Sequence, residues 1–119
     1  MDKVNLTEKL AQFSDHWSPR IVGELNGQLV KLTKLEGEFF WHHHEQEDEL
    51  FLVLHGTLEI HLRDRVVSLS EGEFFIVPRG VEHKPVAARE VHVLLFEPAS
   101  TLNTGNVRNE RTVETLKRL

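Results

Sequence analysis

Residues 37–56 read GEFFWHHHEQEDELFLVLHG, and residues 72–83 read GEFFIVPRGVEH. In the first stretch Leu50 to Leu54 is an apolar run of strand length, preceded by the polar run Glu45 to Asp48 and closed before Gly56. A short apolar run between turn signals reads as a buried strand. In the second stretch Phe74 to Val77 is another strand, followed by Pro78-Arg79-Gly80. Pro78 at the second turn position and Gly80 at the fourth suit a type I turn that swings His83 back inward. Further out, Ile21 to Leu25 and Leu29 to Leu32 flank Asn26-Gly27, the signal of a two-residue hairpin. Phe39 to Trp41, Leu58 to Leu62, Val66 to Leu69 and Val91 to Phe96 complete the series. Short strands with no helix between them predict an all-β sandwich or barrel.

Thr57 to Arg63 alternates apolar and polar residues, which gives a strand with one wet face. Leu50 to Leu54 is apolar on both faces and needs a covering layer, either an N-terminal helix or a second subunit. Leu6, Leu10, Phe13 and Trp17 recur at helical spacing and predict a helix over residues 5–17, with Thr7 as N-cap and Ser18-Pro19 as its end. After Pro98 the chain is more polar, read as a loop from Thr101 to Asn109 and one or two helical turns from Arg111. The expected division is a helical segment over 1–19, a barrel over 20–98 and a tail over 99–119.

With 119 residues the chain accommodates one core. The absence of cysteine excludes disulfides, thiolate metal sites and Cys nucleophiles. A net charge of -5 without a basic run argues against a nucleic-acid partner. No apolar stretch is long enough to span a bilayer, and Met1 to Asn5 lacks the features of a signal peptide, so the expected location is cytoplasmic, with no membrane partner.

The chemistry lies in the histidines. His42 and His44 are two apart, so in a strand they share one face while His43 points away. Glu49 has the wrong parity for an unbroken strand, but a loop over Glu45 to Asp48 resets the register and turns its carboxylate toward the imidazoles, with Phe51 and Val53 on the same inward face. His83 returns after the Pro78 turn. Alone, His42 and His44 also read as solvated residues on an edge strand. Three buried imidazoles and a carboxylate together suit one divalent transition metal: zinc, iron, manganese, nickel or cobalt. His55 and His61 read as exposed, Glu82 as solvent-facing, and His92 is undecided by parity. Arg79 and Arg89 are possible anion contacts or plain surface charge; Phe40, Phe51, Phe75 and Phe96 are pocket-lining or core.

Gly37, His42-X-His44, Glu49 and Gly56 resemble the first motif of the cupin superfamily, and Gly72, Pro78-X-Gly80 and His83 resemble the second, with fifteen residues between the motifs. The resemblance implies a jelly-roll (double-stranded β-helix) barrel and assigns His42, His44, Glu49 and His83 as metal ligands. Two departures stand out: the Gly37–His42 gap is one residue shorter than usual, and Ala87 occupies the position of a common Asn. By general sequence the chain also resembles mannose-6-phosphate-isomerase-like small cupins. That leaves three functional expectations: a sugar-phosphate isomerase-like enzyme, a metal-dependent dioxygenase, or a non-catalytic module binding a small ligand. The exposed edges and faces of a short barrel add the expectation of a homodimer.

Overall fold

The computed structural model describes residues 1–119. Its elements are one helix, α1 (Leu6–Leu10), and eight strands: β1 (Arg20–Leu25), β2 (Gln28–Glu38), β3 (Glu49–His55), β4 (Leu58–Leu62), β5 (Val66–Leu69), β6 (Phe74–Val77), β7 (His83–Pro98) and β8 (Lys117–Arg118). The protein is all-β, and its strands roll into a jelly-roll barrel. Antiparallel pairing runs β5-β4-β7-β2-β1, and β3 bridges β6 and β7.

The long strand β7 is the seam. Its first residues pair with β4 and its later ones with β3, while β2 accompanies both halves. The change of partner falls where Ala88, Arg89 and Glu90 are exposed and where the β2 register shifts between Leu35 and Gly37. Gly37 has φ 90, a conformation that glycine adopts without strain.

Asn26 and Gly27 both have positive φ, 49 and 80, as a type I′ hairpin turn requires, and Leu25 pairs with Gln28 around them. Along β3 the residues Glu49, Phe51 and Val53 are buried and Leu50, Leu52 and Leu54 only partly so. Phe51 and Val53 join Leu58, Ile60, Val91 and Val93 in the barrel core. Leu54 instead packs outside, with Leu94, Leu6 and Leu10, against a second cluster of Phe13, Val22 and Leu32. The N-terminal segment therefore covers one end of the doubly apolar strand.

Three expectations are corrected. The helix is five residues long rather than thirteen and is capped by Asn5, whose side chain accepts the Glu8 N–H at 3.0 Å; Thr7 lies within the helix. Beyond Ala11 the chain is drawn to the barrel edge, where Trp17 donates its N–H to Lys34 O and its Nε1–H to Glu36 O. These bonds replace the helical ladder, and Trp17 sits at φ 61. Phe39 to Trp41 does not form a strand, because β2 ends at Glu38 and Phe39 folds under Trp17 with ring centroids 4.7 Å apart. The tail forms no helical turn after Arg111; it ends in β8, parallel to β1, with Leu119 N–H bonded to Ile21 O. Leu119 packs into the outer cluster, and that burial favours the strand. No helix is long and apolar enough to cross a membrane.

Candidate metal centre

Backbone pairing brings the donors together. His42 and His83 form an isolated antiparallel bridge, His42 N–H to His83 O at 3.1 Å and His83 N–H to His42 O at 2.9 Å. His44 O accepts the Gly80 N–H at 2.8 Å. His42 and His44 thus keep the two-residue parity expected of a strand although neither lies in one. The turn before His83 differs by one residue from expectation: Val81 N–H bonds to Pro78 O, which puts Pro78 first and Gly80 third with φ 78. That is the positive φ of a type II turn. The Gly80 N–H that a type I turn would have sent to Val77 is taken by His44, and the Arg79 N–H is taken by Asp48 Oδ1 at 2.8 Å.

One ligand atom from each of His42, His44, Glu49 and His83 lies within 4.8 Å of the others, and all four residues are buried. Nε2 of His44 and of His83 lie 3.3 and 3.4 Å from Glu49 Oε1. The His42 and His83 rings are 4.3 Å apart, centroid to centroid. Nδ1 of His42 faces Phe40 O at 3.0 Å and Nδ1 of His83 faces Val81 O at 2.9 Å. A carbonyl oxygen only accepts, so each Nδ1 carries a proton, and Nε2 is the atom through which each ring can bind a metal.

Both ring nitrogens of His44, Nε2 of His83 and Oε1 of Glu49 are buried without a hydrogen-bond partner. Buried polar atoms left unpaired cost about 1–3 kcal/mol each, which a shared cation would recover. Burial first, and the neighbouring His83 imidazole second, lower the His42 pKa to about 4, so the His42 ring is neutral at pH 7. Burial works against ionising Glu49, but the His44 and His83 imidazoles and the Glu97 carboxyl beside it hold its pKa well below the usual carboxylate range. A neutral His42 nitrogen and an ionised Glu49 oxygen are donor states that a divalent cation needs. The four residues fit a metal.

The cupin domain model matches residues 28–97, more than half of the chain and inclusive of all four donors. The chain belongs to the cupin family. A cupin-2 domain protein of Shewanella frigidimarina NCIMB 400 is similar to it at 46% identity, with TM-score 0.79, covering 80% of this chain and 93% of that one. Protein NMB1881 of Neisseria meningitidis is similar at 28% identity and TM-score 0.76, covering 82% of this chain and 100% of that one. The uncharacterised protein YdbB of Bacillus subtilis (strain 168) is 37% identical over 78 residues, 65% of this chain, and the match spans 63% of the length of YdbB.

This cupin carries a second polar group that the motif reading missed. Lys31 Nζ is 2.8 Å from Glu97 Oε1, both side chains are 1% exposed, and Glu97 lies against Glu49. Burial first, and the neighbouring Glu49 charge second, raise the Glu97 pKa well above its ordinary value, with Lys31 opposing. Thr33, equally buried, leaves its Oγ1 without a partner, as does Oε2 of Glu97. The signal was present as period-two alternation. Lys31 and Thr33 share the inward face with Leu29 and Leu35, and Glu97 follows Val91, Val93 and Leu95. Thr33 and Glu97, with His42, Glu49 and Phe51, line a cavity of about 440 Å³ of atom-free space, its open mouth included.

The remaining candidates of the cupin lie elsewhere. His43 points away from the donors and bonds Glu45. His55 is exposed, His61 half-buried beside Glu59, and His92 sits on the outer face with its ring 5.1 Å from that of His55. Glu82 faces solvent and pairs with Arg63. Arg79 pairs with Asp48, Arg89 is exposed, and neither lines the cavity. Of the four candidate phenylalanines only Phe51 reaches it. Ala87 is fully buried in the core, so an Asn there would have to enter apolar surroundings.

Proposed function

We propose that this cupin binds one divalent transition metal through His42, His44, Glu49 and His83, and binds a small polar molecule beside it. The observation that carries the reading is the set of buried, unpartnered donor atoms converging within 4.8 Å. A divalent cation so held supplies Lewis acidity and open coordination positions for an oxygen-bearing ligand. The chain's residues contribute the rest. Phe40 and Val81 carbonyls orient the two imidazoles. Leu35, Phe39, Phe51 and Leu95 give the cavity an apolar wall beside the donors.

Whether the bound molecule is converted turns on Glu97. It is the sole titratable side chain lining the cavity apart from His42 and Glu49, so proton transfer in an isomerase-like reaction would fall to it. Oxygen uptake with an iron-loaded sample would favour the dioxygenase, and binding without turnover the ligand-binding module.

A homodimer and a cytoplasmic location complete the proposal. Phe74 and Ile76 on β6 are exposed beside the half-buried Leu50 and Leu52, an apolar face that a second copy would cover. The barrel is taken as residues 20–98.

Elemental analysis of untagged protein is the test. About one transition-metal ion per chain in the wild type, with a large loss in His44→Ala, is expected. Full occupancy in that variant would overturn the ligand set.

A further inference from the structure

One cation stands at the rim of the cavity without an ion pair. Six of the eight arginines pair with a carboxylate; Arg89, on the exposed stretch of β7, and Arg111 do not. Arg111 is half-buried, with its Cζ 5.4 Å from the Trp17 ring centroid and 5.5 Å from that of Phe39, and both rings line the cavity. Its Nη1 donates to Glu38 O at 3.1 Å, while neither Nε nor Nη2 bonds to the protein. A guanidinium stacked on aromatic rings keeps its edge for hydrogen bonding. The Nε–Nη2 edge is the fork that a carboxylate fills with two parallel bonds.

The tail and β2 fix this guanidinium in place. Asn103, which lines the cavity, donates its Nδ2–H to Arg111 O at 2.8 Å and accepts the Val113 N–H at 2.9 Å. Asn109 Oδ1 accepts the Arg111 N–H at 2.8 Å. Trp17 Nε1 and Arg111 Nη1 take the Glu36 and Glu38 carbonyls at the same strand end. The Phe39 ring links this rim to the metal donors, since its centroid is only 5.2 Å from that of the His42 ring. Deeper in, Lys31 is taken by Glu97, and Glu97 lies against Glu49. Glu49 offsets one charge of the divalent cation proposed above, so the loaded cavity is positive at its base and again at its rim.

We infer that Arg111 is a recognition residue for a singly charged organic acid, whose carboxylate takes the Nε–Nη2 edge and whose apolar body lies against the wall of Leu35, Phe39 and Leu95. One guanidinium matches one negative charge. A doubly charged phosphate ester there would leave a charge unmatched at a half-buried aromatic rim, and a neutral molecule would leave the fork unused. An oxygen at the far end of the acid would meet the cation. For that far end the assignment rests on the metal centre proposed above; for the carboxylate it rests on Arg111 alone.

The test is a titration followed by NMR, with 4-(hydroxymethyl)benzoate as the probe and 1,4-benzenedimethanol and benzyl phosphate as comparisons. It is run on metal-loaded and on chelator-treated protein, with the metal content of each sample measured. The acid should bind saturably and at least about tenfold more tightly than either comparison. Arg111→Gln should remove about that factor for the acid while leaving diol affinity and metal content unchanged, and Arg111→Lys should recover only part, because a lysine lacks the fork. In the wild type the Arg111 Nε–H resonance should shift with the acid and stay still with the diol, which reads the contact even where a variant fails to fold. No saturable binding of the acid, equal affinity for acid and diol, tighter binding of benzyl phosphate, or an acid affinity unchanged in Arg111→Gln would each overturn the role of Arg111. Protein that takes up no metal yet binds the acid through Arg111 would sink the metal centre and leave this role standing.

Discussion

Lys31 Nζ and Glu97 Oε1 meet at 2.8 Å inside the barrel, with both side chains 1% exposed. An amine and a carboxyl group removed from water this completely are held by each other. The pair also spans two strands, since Leu29 of β2 pairs with Glu97 of β7 and Lys31 with Leu95, which places the contact across the diagonal.

Removing one partner should therefore cost far more than removing both. Lys31→Ala is expected to destabilise the protein by about 3–5 kcal/mol, because it strands a buried carboxyl. Lys31→Met combined with Glu97→Leu should recover most of that loss. Urea denaturation of the three proteins under chelation checks this, and a Lys31→Ala loss below about 1 kcal/mol would contradict it.

Acid should weaken the metal-stripped protein through His42. Its folded pKa of about 4 lies below the ordinary 6.5, so between those values the unfolded chain binds a proton that the native protein does not. Stability then falls as pH drops through this window, by about 2 kcal/mol from pH 7 to pH 5. Glu97, whose pKa is raised, works in the opposite direction above the ordinary carboxylate range, so the measurement belongs in a Glu97→Gln background. Urea midpoints that stay flat or rise toward pH 5 there would count against a buried, neutral His42.

Gly105 ties the tail to the site. A Cβ at this position would lie 2.3 Å from His43 O and 3.1 Å from His42 Cδ2, and its φ is 59. Asn106 holds the same backbone, donating its N–H to His43 O and accepting the His43 N–H. Gly105→Ala should lower thermal stability by roughly 1–3 kcal/mol and expose the tail to proteolysis, since the clash is with backbone. It should also lower metal affinity. Unchanged protease resistance and metal content would show that the tail does not brace the His42–His44 segment.

His43 is the internal control for parity. Its ring bonds Glu45 and points away from the donors, so His43→Ala should leave metal content intact where His83→Ala abolishes most of it. Parallel elemental analysis of the two variants decides this, and equal losses would mean the donor face is wrongly assigned.

Much of this was legible before the structure. Asn26-Gly27 announced its hairpin because its turn demands positive φ at both positions. Glu49 was placed correctly because a polar loop resets a period-two pattern, and Phe51 and Val53 followed it inward. The N-terminal helix is shorter than the periodicity implies because Phe13 and Trp17 satisfy helical spacing while their burial comes from the barrel edge, a tertiary contact. The β8 pairing was hidden for the same reason, as two residues carry no periodicity. Lys31 and Glu97 escaped notice because a charged residue inside an apolar strand reads as surface until its partner, 66 residues away, is known.

Whether His42, His44, Glu49 and His83 share one cation is decided by diffraction at a metal absorption edge. A single anomalous peak is expected within bonding distance, about 2.0–2.2 Å, of His42, His44 and His83 nitrogens and a Glu49 oxygen. A metal-replete crystal with its peak elsewhere, or with His44 and Glu49 outside bonding distance, would contradict it.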